Sequence, residues 1–136
     1  MIRKAKISDA EEILSLYNEN NNLRGDNNIG YVLENIIDYI KKDQIFVYCA
    51  DEIIGLCQIE VWKNYIHFHI LIVKKEFQNQ GIGDKLMKFI ENYAKENEIF
   101  LIELMVEKKN IKMQKILEKK EYTKGKEFYF YSKNLI

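Results

Sequence analysis

The chain has no proline, only two cysteines and two histidines, and no excess of either charge. The missing proline, in a sequence rich in Lys, Ile and Asn, is a compositional bias without functional content. Cys49 and Cys57 both fall in apolar, strand-like runs. Two thiols do not make a metal site, and a reducing cytosol would keep them unpaired, so both read as core residues. Cys57 as a nucleophile is disfavoured because no base flanks it in the sequence. The 21 basic and 21 acidic residues cancel, which argues against bulk attraction to nucleic acid or an anionic membrane. No apolar run approaches the roughly 20 residues that cross a bilayer. The first residues, "MIRKAKISDAEEI", lack the apolar core of a secretion signal. The expectation is a cytoplasmic protein with no nucleic-acid or membrane partner.

What is present suits a soluble globular domain: 136 residues, 47% of them apolar and 31% charged. One domain, residues 1–136, is expected. The chain opens with a short strand, Ile2–Lys6. Ser8 and Glu11 have the spacing of a capping box, ahead of a helix with Ile13, Leu16 and Tyr17 on one face. An Asn-rich polar loop around Gly25 leads to a second helix marked by Leu33, Ile36, Ile37 and Ile40. From Gln44 the period changes. "IFVYCA" and "IIGLCQIEVW" read as a hairpin, and "YIHFHILIV" as a third strand, apolar on both faces apart from its histidines and so central in the sheet. The next helix should bury Ile82, Leu86, Phe89, Ile90 and Tyr93. "IFLIELMV" is another apolar strand, "NIKMQKILEKK" a short basic helix, and "YTKGKEFYFYSKNL" a closing hairpin turning near Gly125. The order is β-α-α-β-β-β-α-β-α-β-β. The unit from Tyr65 to Val106 should be a right-handed parallel crossover. The class is α/β (α+β), with a mixed, mostly antiparallel central sheet flanked by helices.

Between the third strand of that meander and its helix stands "VKKEFQNQGIGDKLMKFI", residues 73–90. Two glycines, Gly81 and Gly83, sit where a helix begins, and nothing acidic lies between Glu76 and Asp84. A helix start leaves backbone N–H groups without partners and carries the positive end of the helix dipole. Glycines let those groups converge on phosphate, and Gln78, Asn79 and Gln80 can add neutral donors. The plainer alternative is that the glycines only let the strand bend into its helix. There is no Gly-Lys-Ser/Thr of a nucleotide P-loop and no G-x-G-x-x-G of a dinucleotide fold.

Gln78-x-x-Gly81-x-Gly83, after a strand ending in Val73, resembles the acyl-CoA signature of the GNAT superfamily of N-acyltransferases, Arg/Gln-x-x-Gly-x-Gly/Ala. The element order is similar to that superfamily from Ile2 to about Leu135. The resemblance implies a GNAT-like fold and acetyl-CoA as cosubstrate. It implies that backbone groups from Gln78 through Asn79, Gln80, Gly81 and Ile82 to Gly83 hold the CoA pyrophosphate. It also implies that the backbone around Leu71 and Val73 pairs with pantetheine as another strand would. Asp84 departs from the small or basic residue often found there, and is expected to point outward.

His67 and His69 stand two apart in one strand, so period two puts both on one face, shared with Leu71 and Val73. An amine must lose a proton before it attacks a thioester, and imidazole can take that proton directly or through water. Structural histidines are the alternative. In the family resemblance His67 falls where many members carry a general-base Glu. The His-x-His pair is similar to that of the arylalkylamine (serotonin) N-acetyltransferases. Glu60, near the end of the preceding strand, is the rival base, or else a solvent-facing strand residue.

The family pattern N-x-x-A-x-x-L-Y-x-K-x-G-F is matched only in part by "NIKMQKILEKKEY". Asn110 is present, where the family uses it to hydrogen-bond the cofactor. Leu117 replaces the Tyr that protonates the departing thiolate, and Glu121 replaces the Gly. Water, Tyr129 or Tyr131 are the substitutes for that acid. Six lysines against three glutamates between Glu107 and Glu121 make this helix basic, either as a solvated face or with a lysine near the 3′-phosphate of CoA.

The expected activity is transfer of acetyl from acetyl-CoA to a primary amine by direct attack in a ternary complex. His67 would take the proton with His69 assisting, and backbone N–H groups near Val73 would hold the oxyanion. The alternative, motivated by Leu117, is a CoA-binding regulatory or interaction module without catalysis. The acceptor would be a small-molecule or peptide amine, shaped by Tyr17 to Tyr39 and the loop with Arg24 and Asp26. No metal is expected, and homodimers are common among relatives.

Overall fold

The computed structural model describes residues 1–20 and 30–135. The expected polar loop around Gly25, with Arg24 and Asp26, lies outside the described residues. Two compact units divide the chain, Met1–Leu104 and Met105–Ile136.

The first unit contains a five-stranded sheet: β1 (Ile2–Lys4), β2 (Ile45–Cys49), β3 (Ile53–Val61), β4 (Ile66–Val73) and β5 (Ile102–Glu103). The strands lie side by side in chain order. The first four are antiparallel neighbours, and β4 and β5 run parallel. The helices are α1 (Ala10–Glu19), α2 (Leu33–Lys41) and α3 (Ile82–Glu96). The α3 helix lies between β4 and β5 in the chain, and these strands pair parallel as expected of a crossover.

Two apolar layers enclose the sheet. On one side α1 and α2 present Ile13, Leu16, Tyr17, Ile36 and Ile40, which pack in one buried cluster with Ile45, Val47, Leu56, Ile70 and Ile72 of the strands. These are the helix positions that the three-to-four residue spacing selects. On the other side α3 buries Ile82, Leu86, Met87, Ile90 and Ala94. Each such aliphatic side chain contributes about 1.5–3 kcal/mol when fully buried. Phe89 and Tyr93, expected to be buried, are only partly buried. Their rings lie 5.5 and 5.4 Å from that of Phe46 on β2. The helix comes close to the sheet because β3 has a glycine beneath it: a Cβ on Gly55 would stand 3.2 Å from both the Ile72 carbonyl oxygen and Ile82 Cγ2.

Several expectations change. The first helix is not capped by Ser8. A 3-10 turn, Ile7–Asp9, precedes α1, and Asp9 organises it instead, its carboxylate accepting from the Lys6 amide at 2.7 Å and from Arg3 at 2.8 and 3.1 Å. Paired in this way, Asp9 is held below the usual carboxylate range by the Arg3 hydrogen bond, against an opposing effect of burial. The strand expected across 99–106 forms a ladder only at Ile102–Glu103, so among the described residues β4 has no further strand partner on that edge. The middle strand of the sheet is β3, with β4 one place out.

The second unit holds α4 (Ile111–Lys119), started by Asn110, whose side chain accepts from the Met113 amide at 3.2 Å. Leu117 is its one buried residue. The expected closing hairpin is not formed: no strand is assigned across residues 122–135, and Phe128, Tyr129, Phe130 and Tyr131 are exposed. Alternating aromatics give strand propensity but not a partner strand, and a lone hairpin is marginal without one.

Candidate active site

The chain leaves β4 at Val73, makes a 3-10 turn over Lys75–Phe77 and enters α3 at Ile82. Two residues of the connecting turn have left-handed backbones, Asn79 at φ 63° and Gly81 at φ 82°. Asn and Gly are the residue types that tolerate this region, which is the local reason for their alternation. A Cβ on Gly81 would meet nothing within 4 Å, so glycine is needed there for its backbone and not for space. Gly83, at the second helical position, lies over β4: a Cβ there would stand 3.6 Å from Leu71 Cδ2 and 3.8 Å from Val73 Cγ2. The first-turn amides of α3 have no acceptor within the helix. Gln78 and Gln80, expected as free donors, turn their side-chain amides onto the turn itself. Gln78 Nε2 donates to the Val73 carbonyl at 3.0 Å and Gln80 Nε2 to that of Glu76 at 3.4 Å. Both bonds brace the loop. Asp84 is exposed, as expected.

The far edge of β4 is the second feature. It pairs with β5 only through Ile66 opposite Ile102 and His67 opposite Glu103. From Phe68 to Val73 no strand is assigned on that side among the described residues. An open edge that ends at a helix start with convergent N–H groups fits an elongated ligand carrying an anionic end: main-chain pairing along its stem, charge at the turn.

The histidines lie where the register breaks. Gln58 pairs with Ile70 and its neighbour Ile59 with Phe68, so His69 is an extra residue on β4. Such a bulge reverses which face the following side chains take. Ile70 and Ile72 belong to the α1–α2 cluster, whereas Leu71 and Val73 lie under Gly83 of α3. Beyond the bulge His67 pairs with Glu60, two residues along from Gln58, and Gln58 accepts a hydrogen bond from Tyr17 of α1 at 2.6 Å. The imidazoles therefore face the α1–α2 side, and the expectation that they share a face with Leu71 and Val73 is corrected. A bulge is an offset between two strands, invisible in the alternation of one.

On that side three expected site residues come together. Glu60 Oε2 lies 2.8 Å from His69 Nε2, and the His67 and His69 rings meet edge to face with centroids 4.4 Å apart. Glu103 of β5 stands on the other side of His67. His67 is held below the ordinary histidine value, first by burial and then by His69, with Glu60 and Glu103 opposing. It is thus biased towards the neutral, proton-accepting form. On the same face, two residues from Glu60, lies the buried pair of Gln58, which the sequence did not single out, and Tyr17, which it placed at the start of the acceptor-shaping segment. Burial, with Tyr31 and Tyr39 nearby, pushes the Tyr17 hydroxyl up. Cys57 is fully buried and its thiol is likewise pushed up, which suits a core residue. Asn110 belongs to the second unit, where its side chain caps α4. Among the described residues no group of three His, Cys, Asp or Glu side chains is placed to hold a metal ion, and no helix is long and apolar enough to cross a membrane.

Residues 30–130 match the family model described as an acetyltransferase (GNAT) domain. No curated protein matches the chain. Among solved structures, the PaiA N-acetyltransferase from Thermoplasma acidophilum in complex with coenzyme A superposes with a TM-score of 0.77 at 21% identity, over 88% of this chain and 87% of that one. The yncA protein of Salmonella typhimurium, solved with acetyl-CoA, gives 0.78 at 17% identity over 90% and 79%. AAC(6')-Iy in complex with a bisubstrate analogue gives 0.76 at 15% identity over 98% and 97%. At these identities the likeness is one of fold. The family match spans most of the chain, and the chain belongs to the GNAT acetyltransferase family.

Proposed function

We propose that this protein transfers the acetyl group of acetyl-CoA to a primary amine by direct attack in a ternary complex. The observation that carries the proposal is the junction at residues 78–83, where two left-handed residues and a helix start meet the unpaired edge of β4. The first-turn amides of α3 fit a diphosphate, with Gly83 leaving the approach clear and Gln78 and Gln80 bracing the loop. Main-chain groups around Leu71 and Val73 pair with the pantetheine arm, which brings the thioester towards the bulge. The Asn79 backbone shapes the turn.

The acceptor enters from the α1–α2 side. Its ammonium gives one proton to an imidazole of the His67–His69 pair, and the freed lone pair attacks the thioester carbonyl. The C–N bond forms and the oxyanion is held by backbone N–H groups near Val73. As the C–S bond breaks, the second amine proton passes to the thiolate through water, and the imidazolium returns its proton to solvent. Leu117 has no proton to give. A thiol with a pKa of roughly 8–10, by analogy with cysteine, leaves without a strong acid. Holding both reactants in line supplies much of the acceleration.

The test is release of free thiol from acetyl-CoA across a panel of amines, polyamines and peptides. Amine-dependent release that His67→Ala loses by about a hundredfold or more supports the proposal. Tight CoA binding without turnover of any amine would replace it with a binding module.

A further inference from the structure

Glu60 has two plausible jobs in this cluster, and its geometry separates them. The carboxylate sits 2.8 Å from Nε2 of His69, not from His67. A carboxylate has only lone pairs to offer, so Nε2 carries the hydrogen, and in the neutral ring Nδ1 keeps its lone pair. The same imidazole packs edge-on against His67, with centroids 4.4 Å apart. His69 is also the extra residue of the β4 bulge, where ladder pairing does not fix the backbone, so its ring needs another restraint.

We propose that Glu60 is a positioning residue: it holds His69 in the Nε2–H tautomer and so fixes the paired imidazoles that receive the amine proton. The inference rests on the acetyl-transfer reading given above and removes Glu60 from the list of bases. The proton balance is simple. The ammonium proton goes to an imidazole nitrogen, and Glu60 stays ionised as the counter-charge to the imidazolium. Other charges face the pair from the neighbouring elements. Glu103 of β5 stands beside His67, and Lys42, following α2, is close enough to Glu60 to feel its charge while bonding Asp38 at 3.0 Å. Lys42 already has a carboxylate partner, so Glu60 remains available to His69. Glu60 and His69 are both more than a third exposed, which makes the arrangement reachable by an acceptor and leaves the fold tolerant of substitution.

The experiment uses the full chain with Glu60→Leu and Glu60→Gln. Imidazole nitrogen tautomers are read by long-range proton–nitrogen correlation at pH 8, and steady-state rates are measured with the best amine of the panel. In the wild type His69 shows one tautomer with Nε2 protonated. Glu60→Leu gives mixed tautomers and lowers kcat by about tenfold or more, with KM for acetyl-CoA within about twofold. Glu60→Gln, whose carbonyl accepts the same N–H, restores the tautomer and most of the rate. A Glu60→Gln enzyme as inactive as Glu60→Leu, with its His69 tautomer intact, overturns the inference and makes the carboxylate the base. So does Glu60→Leu with an unmixed tautomer or wild-type kcat. If His67→Ala keeps full activity the base assignment above falls separately, while the ring-nitrogen signals still decide whether Glu60 holds His69.

Discussion

Replacing Gly83 by alanine pulls stability and cosubstrate affinity in opposite directions. A methyl group there meets Leu71 Cδ2 at 3.6 Å and Val73 Cγ2 at 3.8 Å, ordinary contact distances, so the fold accepts it. Glycine within a helix costs roughly 0.5–1 kcal/mol relative to alanine, so the variant should melt a few degrees higher. In the proposed site the anionic end of CoA lies against this helix start, so the added methyl should also hinder its close approach. Losing one hydrogen bond to a charged group costs about 1.5–3 kcal/mol, which is roughly a tenfold to hundredfold weaker Kd for CoA. Thermal unfolding and titration calorimetry on the same sample measure both. Gly81→Ala is the contrasting control. It has free space around it but a φ of 82°, so an L-residue there loses about 1–2 kcal/mol of stability from backbone strain alone. A Gly83→Ala protein that melts higher yet binds CoA as tightly as the wild type would refute the assignment of that helix start to the ligand.

Three further outcomes follow from particular contacts. Tyr17→Phe removes the buried 2.6 Å hydrogen bond to Gln58 and leaves its carbonyl oxygen unpaired, a loss of about 1–3 kcal/mol in denaturant unfolding. Burial and His69 hold His67 below the usual histidine range, so kcat/KM should rise with pH through a midpoint below 6.5 and be level by neutral pH. The linked stability is present above 6.5 and falls as pH drops through the folded value, and a midpoint above 6.5 would contradict the burial argument. Asp9→Asn weakens the paired hydrogen bonds from Arg3 and should cost about 1–2 kcal/mol at pH 7. Because the Asp9 pKa is lowered, the difference between variant and wild type should shrink as pH falls from 3.8 through the folded value, as acid unfolding curves would show.

The helices and the meander were legible because their signals are local. Ile13, Leu16 and Tyr17, or Leu86 and Ile90, repeat at the spacing of one buried face, and the turn at Asp51-Glu52 separates two β-rich runs. The glycine junction was legible for a related reason: Asn79 and Gly81 are the residue types that a left-handed backbone selects. What could not be read depends on how two segments are offset. The extra residue at His69 leaves the apolar–polar alternation of β4 untouched, and only its pairing with β3 reveals that His67 and Leu71 face opposite sides. Ile99 to Val106 is apolar apart from Glu103, which reports a preference for burial but not which residues find a ladder partner; Ile102 and Glu103 do. Ser8 and Glu11 fitted a cap by spacing, yet Asp9 already binds Arg3 and the Lys6 amide one turn earlier. The aromatic run at 128–131 has the composition of a strand without one.

The most direct test is a backbone amide titration with coenzyme A. The largest chemical-shift changes should fall on Gln80, Gly81, Ile82 and Gly83, with a second group at Leu71–Val73 and smaller ones at His67 and His69. Saturating CoA that leaves those amides unmoved, or that shifts a different surface, would contradict the proposed site.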